Sequence, residues 1–170
     1  MARRARTGPQ LTREQQLLRD FRLDGDTVIR VSTGREVNPK PDAHGYQHVK
    51  TAAGLDGERF QIRLHRLKVF LRDGVMPPEV DHSDADGGNN QGSNLRPATR
   101  AQNARNRKRQ SNALEYRGVR KHGRKWLAAL TIDGVVHRLG TFDTPQAASA
   151  VVEGIAELEH GEFYRCPAKR

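Results

Sequence analysis

Between Val80 and Asn106 the chain reads Val-Asp-His-Ser-Asp-Ala-Asp-Gly-Gly-Asn-Asn-Gln-Gly-Ser-Asn-Leu-Arg-Pro-Ala-Thr-Arg-Ala-Gln-Asn-Ala-Arg-Asn, and few folds accommodate it. Asp81 and His82 are adjacent, Asn94 follows twelve residues after His82, and Asn103 nine after that. The segment between is rich in glycine, aspartate and asparagine, residues that favour turns over regular structure. The pattern predicts a strand carrying Asp81 and His82, a long hairpin-like loop, a second short strand near Leu95, and a helix. After Asn94 the chain is expected to turn through Pro97 and enter that helix at Thr99, where Gln102 completes a Thr-x-x-Gln capping box. Asn103, one position past Gln102, is thereby carried back towards Asp81 and His82.

Those residue types suit hydrolysis of a phosphodiester with one hard divalent metal. Magnesium prefers oxygen ligands, keeps several waters and takes only one or two protein oxygens besides substrate phosphate. The Asp81 carboxylate and the Asn103 carboxamide oxygen form such a pair. Histidine as a residue type exchanges protons near neutrality, so His82 suits a base that deprotonates an attacking water. Asn94 does not titrate; its carboxamide both donates and accepts, and so suits tying the loop together.

On these residues the stretch resembles the HNH endonucleases, specifically the zinc-free kind found in phages and mobile introns. The run Asn-Leu-Arg-x-Ala-Thr-x-x-Gln-Asn, here Asn94 to Asn103, is the most specific part of the match. The upstream His65-Arg66-Leu67 is similar to the family's lead-in helix. The resemblance implies His82 as general base, Asp81 and Asn103 as metal ligands, and Asn94 as the residue holding the ββα-metal hairpin in shape. Ser83 stands where the family often has a bulky apolar residue.

Composition narrows the partner. Lys and Arg number 30 against 20 Asp and Glu, a net charge of +10 with a pI near 10.5, which points to a polyanion. No apolar run approaches the roughly 20 residues that span a bilayer. Arg3-Arg4 is not followed by an apolar signal region, so secretion is not expected. A single cysteine, Cys166, leaves no Cys-x-x-Cys zinc site. The expectation is a cytoplasmic protein of a bacterial or phage-infected cell acting on duplex DNA, with one Mg2+ that Mn2+ replaces, no zinc and no membrane or protein partner. One active-site constellation per chain favours nicking by a monomer over an even double-strand break, which takes a dimer or two visits.

In chain order, residues 1–22 read as a basic arm and a short helix opened by the Thr12/Gln15 capping box and carrying Leu17, Leu18 and Phe21. Residues 23–109 form the expected nuclease domain. Strands are predicted at Thr27–Val31, Tyr46–Lys50 and Arg59–Ile62, joined in one small supporting sheet. Leu64, Leu67 and Leu71 give a helical stripe stopped by Gly74 and Pro77-Pro78. His65 is read as structural, His44 and His48 as surface residues, and Asp84 and Asp86 as turn-formers.

From Arg100 to Lys125 the chain has ten Lys or Arg and one acid, Glu115, so most of the net charge lies here. Like charges at helical spacing repel unless an anion neutralises them. Arg100, three residues before Asn103 and on its helix face, is expected to grip the scissile or a neighbouring phosphate. Arg105, Arg107, Lys108 and Arg109 continue along the backbone, and residues 110–115 form a linker.

Residues 116–164 read as three antiparallel strands packed on one helix, followed by a basic tail at 165–170. The strands are expected at Arg117–Arg120, Lys125–Ile132 and Val135–Phe142, with Asp133-Gly134 as the hairpin turn. Thr144 caps the helix, Pro145 occupies its first position, and Ala148, Val151, Val152, Ile155 and Leu158 form its buried stripe. The motifs Tyr-Arg-Gly-Val-Arg (116–120), Lys-Trp-Leu-Ala-Ala (125–129) and Leu-Gly-Thr-Phe-Asp-Thr (139–144) closely resemble the Apetala-type domain of plant ethylene-response factors, whose sheet lies in the DNA major groove. The resemblance implies Arg117 and Arg120 as base readers and Thr141 as a phosphate contact. Lys121, Lys125, Trp126 and Arg138 are further candidate DNA contacts. Ala129, Thr131 and Arg138 replace residues usual in that family, so its target sequence does not carry over. The fold class expected is thus α+β.

Overall fold

The computed structural model describes residues 11–54, 57–106 and 116–164. The chain forms two compact units, Met1–Arg100 and Ala101–Arg170, each mixing helices with antiparallel strands in an α+β arrangement. The linker expected at 110–115 lies outside the described residues.

The first unit opens with α1 (Arg13–Asp20), capped by Thr12: its Oγ1 accepts from the Gln15 N–H at 3.2 Å, and the Gln15 side chain accepts from the Thr12 N–H at 2.9 Å. The helix stops at Asp20 because Phe21 is extended, starting β1 (Phe21–Asp24). Sequence periodicity places Phe21 in the helix; the structure puts it on a strand, buried all the same, while Leu18 of the expected stripe is exposed. Gly25, at φ 56°, turns the chain into β2 (Thr27–Arg30), and β3 (Arg35–Glu36) completes a meander.

A separate hairpin follows, β4 (His48–Lys50) with β5 (Gln61–Arg63), so there are two supporting sheets and not the single one expected. α2 (Leu64–Asp73) begins where β5 ends and is stopped by Gly74 in the left-handed region, φ 74°. Leu17, Phe21, Val28, Val49, Leu64, Leu67 and Phe70 make the main core. Removing such side chains from water is worth about 1.5–3 kcal/mol each.

The next strand pair is β6 (Glu79–His82) with β7 (Leu95–Ala98), seated on α2 through a small cluster of Val69, Val80 and Leu95. Pro97 does not turn the chain; it lies inside β7, paired with Val80. Proline is compatible with a strand edge, where its missing N–H is not called on.

α3 (Arg100–Asn106) starts two residues after β7 ends, and the boundary between the units falls after its first residue. In the second unit the strands come next. β8 (Val119–His122), β9 (Lys125–Ile132) and β10 (Val135–Phe142) form the sheet, with β9 central. β8 begins at Val119, so Arg117 precedes the strand on which it was expected. Gly118 is required there: at φ 70° a Cβ would come within 2.5 Å of the Ala129 carbonyl oxygen. Asp133 and Gly134 both take positive φ, 48° and 82°, as a type I′ hairpin turn demands. α4 (Pro145–His160) is capped by Thr144, whose hydroxyl accepts from the Ala147 N–H at 3.2 Å. It packs on the sheet through Ala148, Val152 and Ala156 against Val119, Ala128 and Leu130. Leu158, expected in that stripe, is 85% exposed, and Ala156 is buried one turn face away. No described helix is long and apolar enough to cross a membrane.

Candidate functional site

The register of β6 and β7 sets Asp81 opposite Arg96 and His82 opposite Leu95. Val80, Asp81 and His82 are consecutive on one strand and all buried, so both faces of this short strand are covered. A buried carboxylate needs a compensating partner. Arg96 supplies one across the ladder, its Nε and Nη2 at 2.8 and 2.7 Å from Oδ2 of Asp81. Arg96 is a site residue that the sequence reading passed over, although it stands within the Asn94–Asn103 run and the hairpin register alone would pair it with Asp81.

The His82 ring meets His65 of α2 edge-on at 5.0 Å between centroids, and Tyr46 lies 5.8 Å from His65 on another side. Burial first, then electrostatic repulsion from His82, Arg63 and Arg66, pushes the His65 imidazole down to about 3. His65 therefore stays neutral beside His82 and adds no charge to the site. The sequence reading took His65 as a structural residue on the lead-in helix, and it is buried against the His82 ring.

Asn94 is saturated. Its Oδ1 accepts from the Ser83 hydroxyl at 2.6 Å and the Asp84 N–H at 3.1 Å, while its Nδ2 donates to Asp84 Oδ1 at 3.0 Å and the Asn89 carbonyl at 2.9 Å. Ser83, where an apolar residue was usual, thus uses its hydroxyl on the loop's central amide. Asp84 and Asp86 shape turns: each accepts from the N–H two residues on, that of Asp86 at 2.8 Å and that of Gly88 at 3.0 Å. Burial works against the charged form of Asp84. The Asp86 N–H and the side chains of Asn89 and Asn94 outweigh it, and hold the carboxyl below its ordinary range.

Groups distant in sequence clamp the same loop. Lys68 Nζ donates to the Asn90 carbonyl at 2.6 Å and pairs with Asp26 at 2.9 Å. Asp26 in turn accepts from the Gly92 N–H at 2.9 Å, and Arg72 donates to the carbonyls of Gly92 and Leu95. The loop is held from the helix, from the β1–β2 turn and from within.

Asn103 and Arg100 lie on α3, Asn103 half-buried and Arg100 exposed at its first turn. Among the described residues no three His, Cys, Asp or Glu side chains gather as a metal site. Magnesium asks for less, one or two protein oxygens. The buried, hard carboxylate of Asp81 fits that demand.

In the second unit the pleat sorts the predicted cations. Arg120, Leu127 and Thr141 stand in one cross-strand row, His122 and Lys125 in the next, and Arg138 opposite Ala129, all on the sheet face away from α4. Arg120, Lys125, Arg138 and Thr141 are exposed there. Trp126 falls on the other face, opposite Lys121 and Phe142, where it packs against the helix-side core. Its placement is that of an anchor. Arg117 donates to the Arg105 carbonyl at 2.9 Å and lies 6.0 Å over the Tyr164 ring, an internal role. The Arg105 guanidinium is 3.9 Å from Asp133. Arg107, Lys108 and Arg109 lie outside the described residues.

A relative in Acanthamoeba polyphaga mimivirus bears the name of an uncharacterized HNH endonuclease. It is 34% identical over 106 residues, 61% of this chain. The chain spans 56% of that relative's length. No family model matches the chain. No solved structure matches it either.

Proposed function

We propose that this chain is a metal-dependent endonuclease of the HNH kind that hydrolyses phosphodiester bonds in duplex DNA. The observation carrying this reading is the adjacent, buried Asp81 and His82 on β6, faced by a loop that Asn94 ties closed with four hydrogen bonds. The mimivirus relative supports it independently. In this mechanism His82 takes the proton of the attacking water. Asp81 would present an oxygen to one divalent cation, Mg2+ or Mn2+, and the resemblance implies Asn103 as its second ligand. Such a cation would supply charge neutralisation at the phosphate and the departing 3′ oxygen. Arg96 holds the Asp81 carboxylate in place, and Arg100 grips the phosphate from the first turn of α3.

The open face of the β8–β10 sheet binds the duplex through Arg120, Lys125, Arg138 and Thr141, in the manner of an Apetala-type domain. Their exposure on one face supports this, because phosphate attraction needs cations that reach solvent. Trp126 packs into the core on the other face, opposite Lys121, and Arg117 bonds the Arg105 carbonyl.

A DNA-binding regulator with an inactive nuclease half is the second reading, and one observation favours it. Arg96 already neutralises one oxygen of Asp81, a position that a cation has to share. Supercoiled plasmid separates the two. The nuclease converts it to nicked circles with Mg2+ or Mn2+, leaving 5′-phosphate and 3′-hydroxyl ends, and does nothing in chelator. A regulator retards the plasmid and leaves it supercoiled under both conditions.

A further inference from the structure

A chain of side-chain amides runs from the backbone to the His82 ring. Gln47 Nε2 lies 2.6 Å from the Pro39 carbonyl and 2.8 Å from Asn38 Oδ1. Gln47 Oε1 lies 2.8 Å from Asn90 Nδ2, and Asn90 Oδ1 lies 3.1 Å from His82 Nε2. The carbonyl of Pro39 only accepts, and a main-chain carbonyl does not exchange ends with a donor. The Gln47 amide must therefore turn its NH2 towards Pro39 and its oxygen towards Asn90. Asn90 must then turn its NH2 to Gln47 and its oxygen to His82. The ring can complete the sequence only by donating from Nε2.

We propose that Gln47, through Asn90, is a positioning residue that fixes the neutral His82 ring as the Nε2–H tautomer and so places the basic lone pair on Nδ1. This rests on the reading of His82 as general base. When Nδ1 takes the proton from water, the ring becomes an imidazolium whose Nε2–H still donates to Asn90, so no hydrogen bond in the chain has to reverse. Neutral His65, edge-on to the ring, adds no competing charge. Neither Gln47 nor Asn90 belongs to the Asn94–Asn103 run, and 43 residues separate them.

The test uses the 170-residue chain labelled with 15N. Long-range proton–nitrogen correlation at about pH 8, where an ordinary imidazole is neutral, reports the His82 tautomer directly. Wild type is expected as Nε2–H. In Gln47→Met, similar in shape but without polar groups, the Asn90 amide is free to flip, and the His82 signals move towards a mixture of tautomers. The kcat for nicking falls about five- to tenfold, the scale of one net hydrogen bond, with KM for DNA unchanged. The double variant Gln47→Met with Asn90→Asp supplies a carboxylate that only accepts, and so restores the Nε2–H tautomer. A well-dispersed spectrum in each variant establishes that it is folded. A wild-type ring protonated on Nδ1 overturns the proposal, as does a Gln47→Met ring that keeps the wild-type tautomer. Absence of nicking by wild type, with the tautomers behaving as described, overturns the nuclease reading and leaves the relay standing.

Discussion

In the first unit the strand pair β6 and β7 buries polar side chains, Asp81, His82, Asn94 and, from α2, His65, beside the small apolar cluster of Val69, Val80 and Leu95. In the second the sheet and α4 enclose an apolar core of Val119, Ala128, Leu130, Ala148, Val152 and Ala156, and the cations stand in solvent. On the proposed function, the difference follows from what each half has to do. Proton transfer needs a base held in one orientation away from bulk water, which demands polar groups that are buried and fully partnered. Attraction to a polyanion needs exposed charge and tolerates imprecision. The first unit adds a buried polar site to its apolar core of Leu17, Phe21, Val28, Val49, Leu64, Leu67 and Phe70, whereas the second keeps its charge outside its core.

That contrast can be broken most forcefully at Asn94. Asn94→Ala removes four hydrogen bonds from the loop facing His82. The nicking rate should fall about 100-fold, the scale of an ångström of misplacement in an active site. The first unit should lose about 2–4 kcal/mol against denaturant, given the net worth of each bond and the groups left unpaired. Hydrogen exchange across β8–β10 should stay at its wild-type level. Loss of protection in the second unit, or a nicking rate equal to wild type, breaks the division of labour.

A smaller effect sharpens it from the other side. Arg120→Ala with Arg138→Ala strips two cations from the open sheet face. The slope of log affinity against log salt should shrink by about 0.9 for each B-DNA phosphate that the variant no longer neutralises. Single-turnover nicking at saturating DNA should hold at the wild-type rate. An unchanged salt slope would mean that this face does not meet the backbone.

The two halves also differed in how much the sequence revealed. The second was legible almost residue by residue, because its signals are local: the Asp133-Gly134 turn, the Thr144 cap followed by Pro145, the alternation through Trp126, Ala128 and Leu130. Its most misplaced core residue, Leu158, lies on the face of α4 away from Ala156 and His160, which are buried in the same last turns. In the first unit the local signals were just as good at the Thr12 cap and the Gly74 stop. They failed at Phe21, where a strand replaces the end of a helix because burial was satisfied either way. The proposed site residues Asp81, His82, Asn94 and Asn103 were named from their spacing. Gln47, Asn90, Asp26 and Lys68 were not, since their hydrogen bonds join elements 22 to 66 residues apart and no periodicity encodes such a bond. Arg96 is the exception: it pairs with Asp81 within one hairpin, and register would have found it.

The most direct test of His82 as the base is its removal. Single-turnover nicking of supercoiled DNA with Mg2+ should be at least about 100-fold slower in His82→Ala than in wild type, the range that a positioned general base contributes. Equal rates for the two proteins would contradict the account.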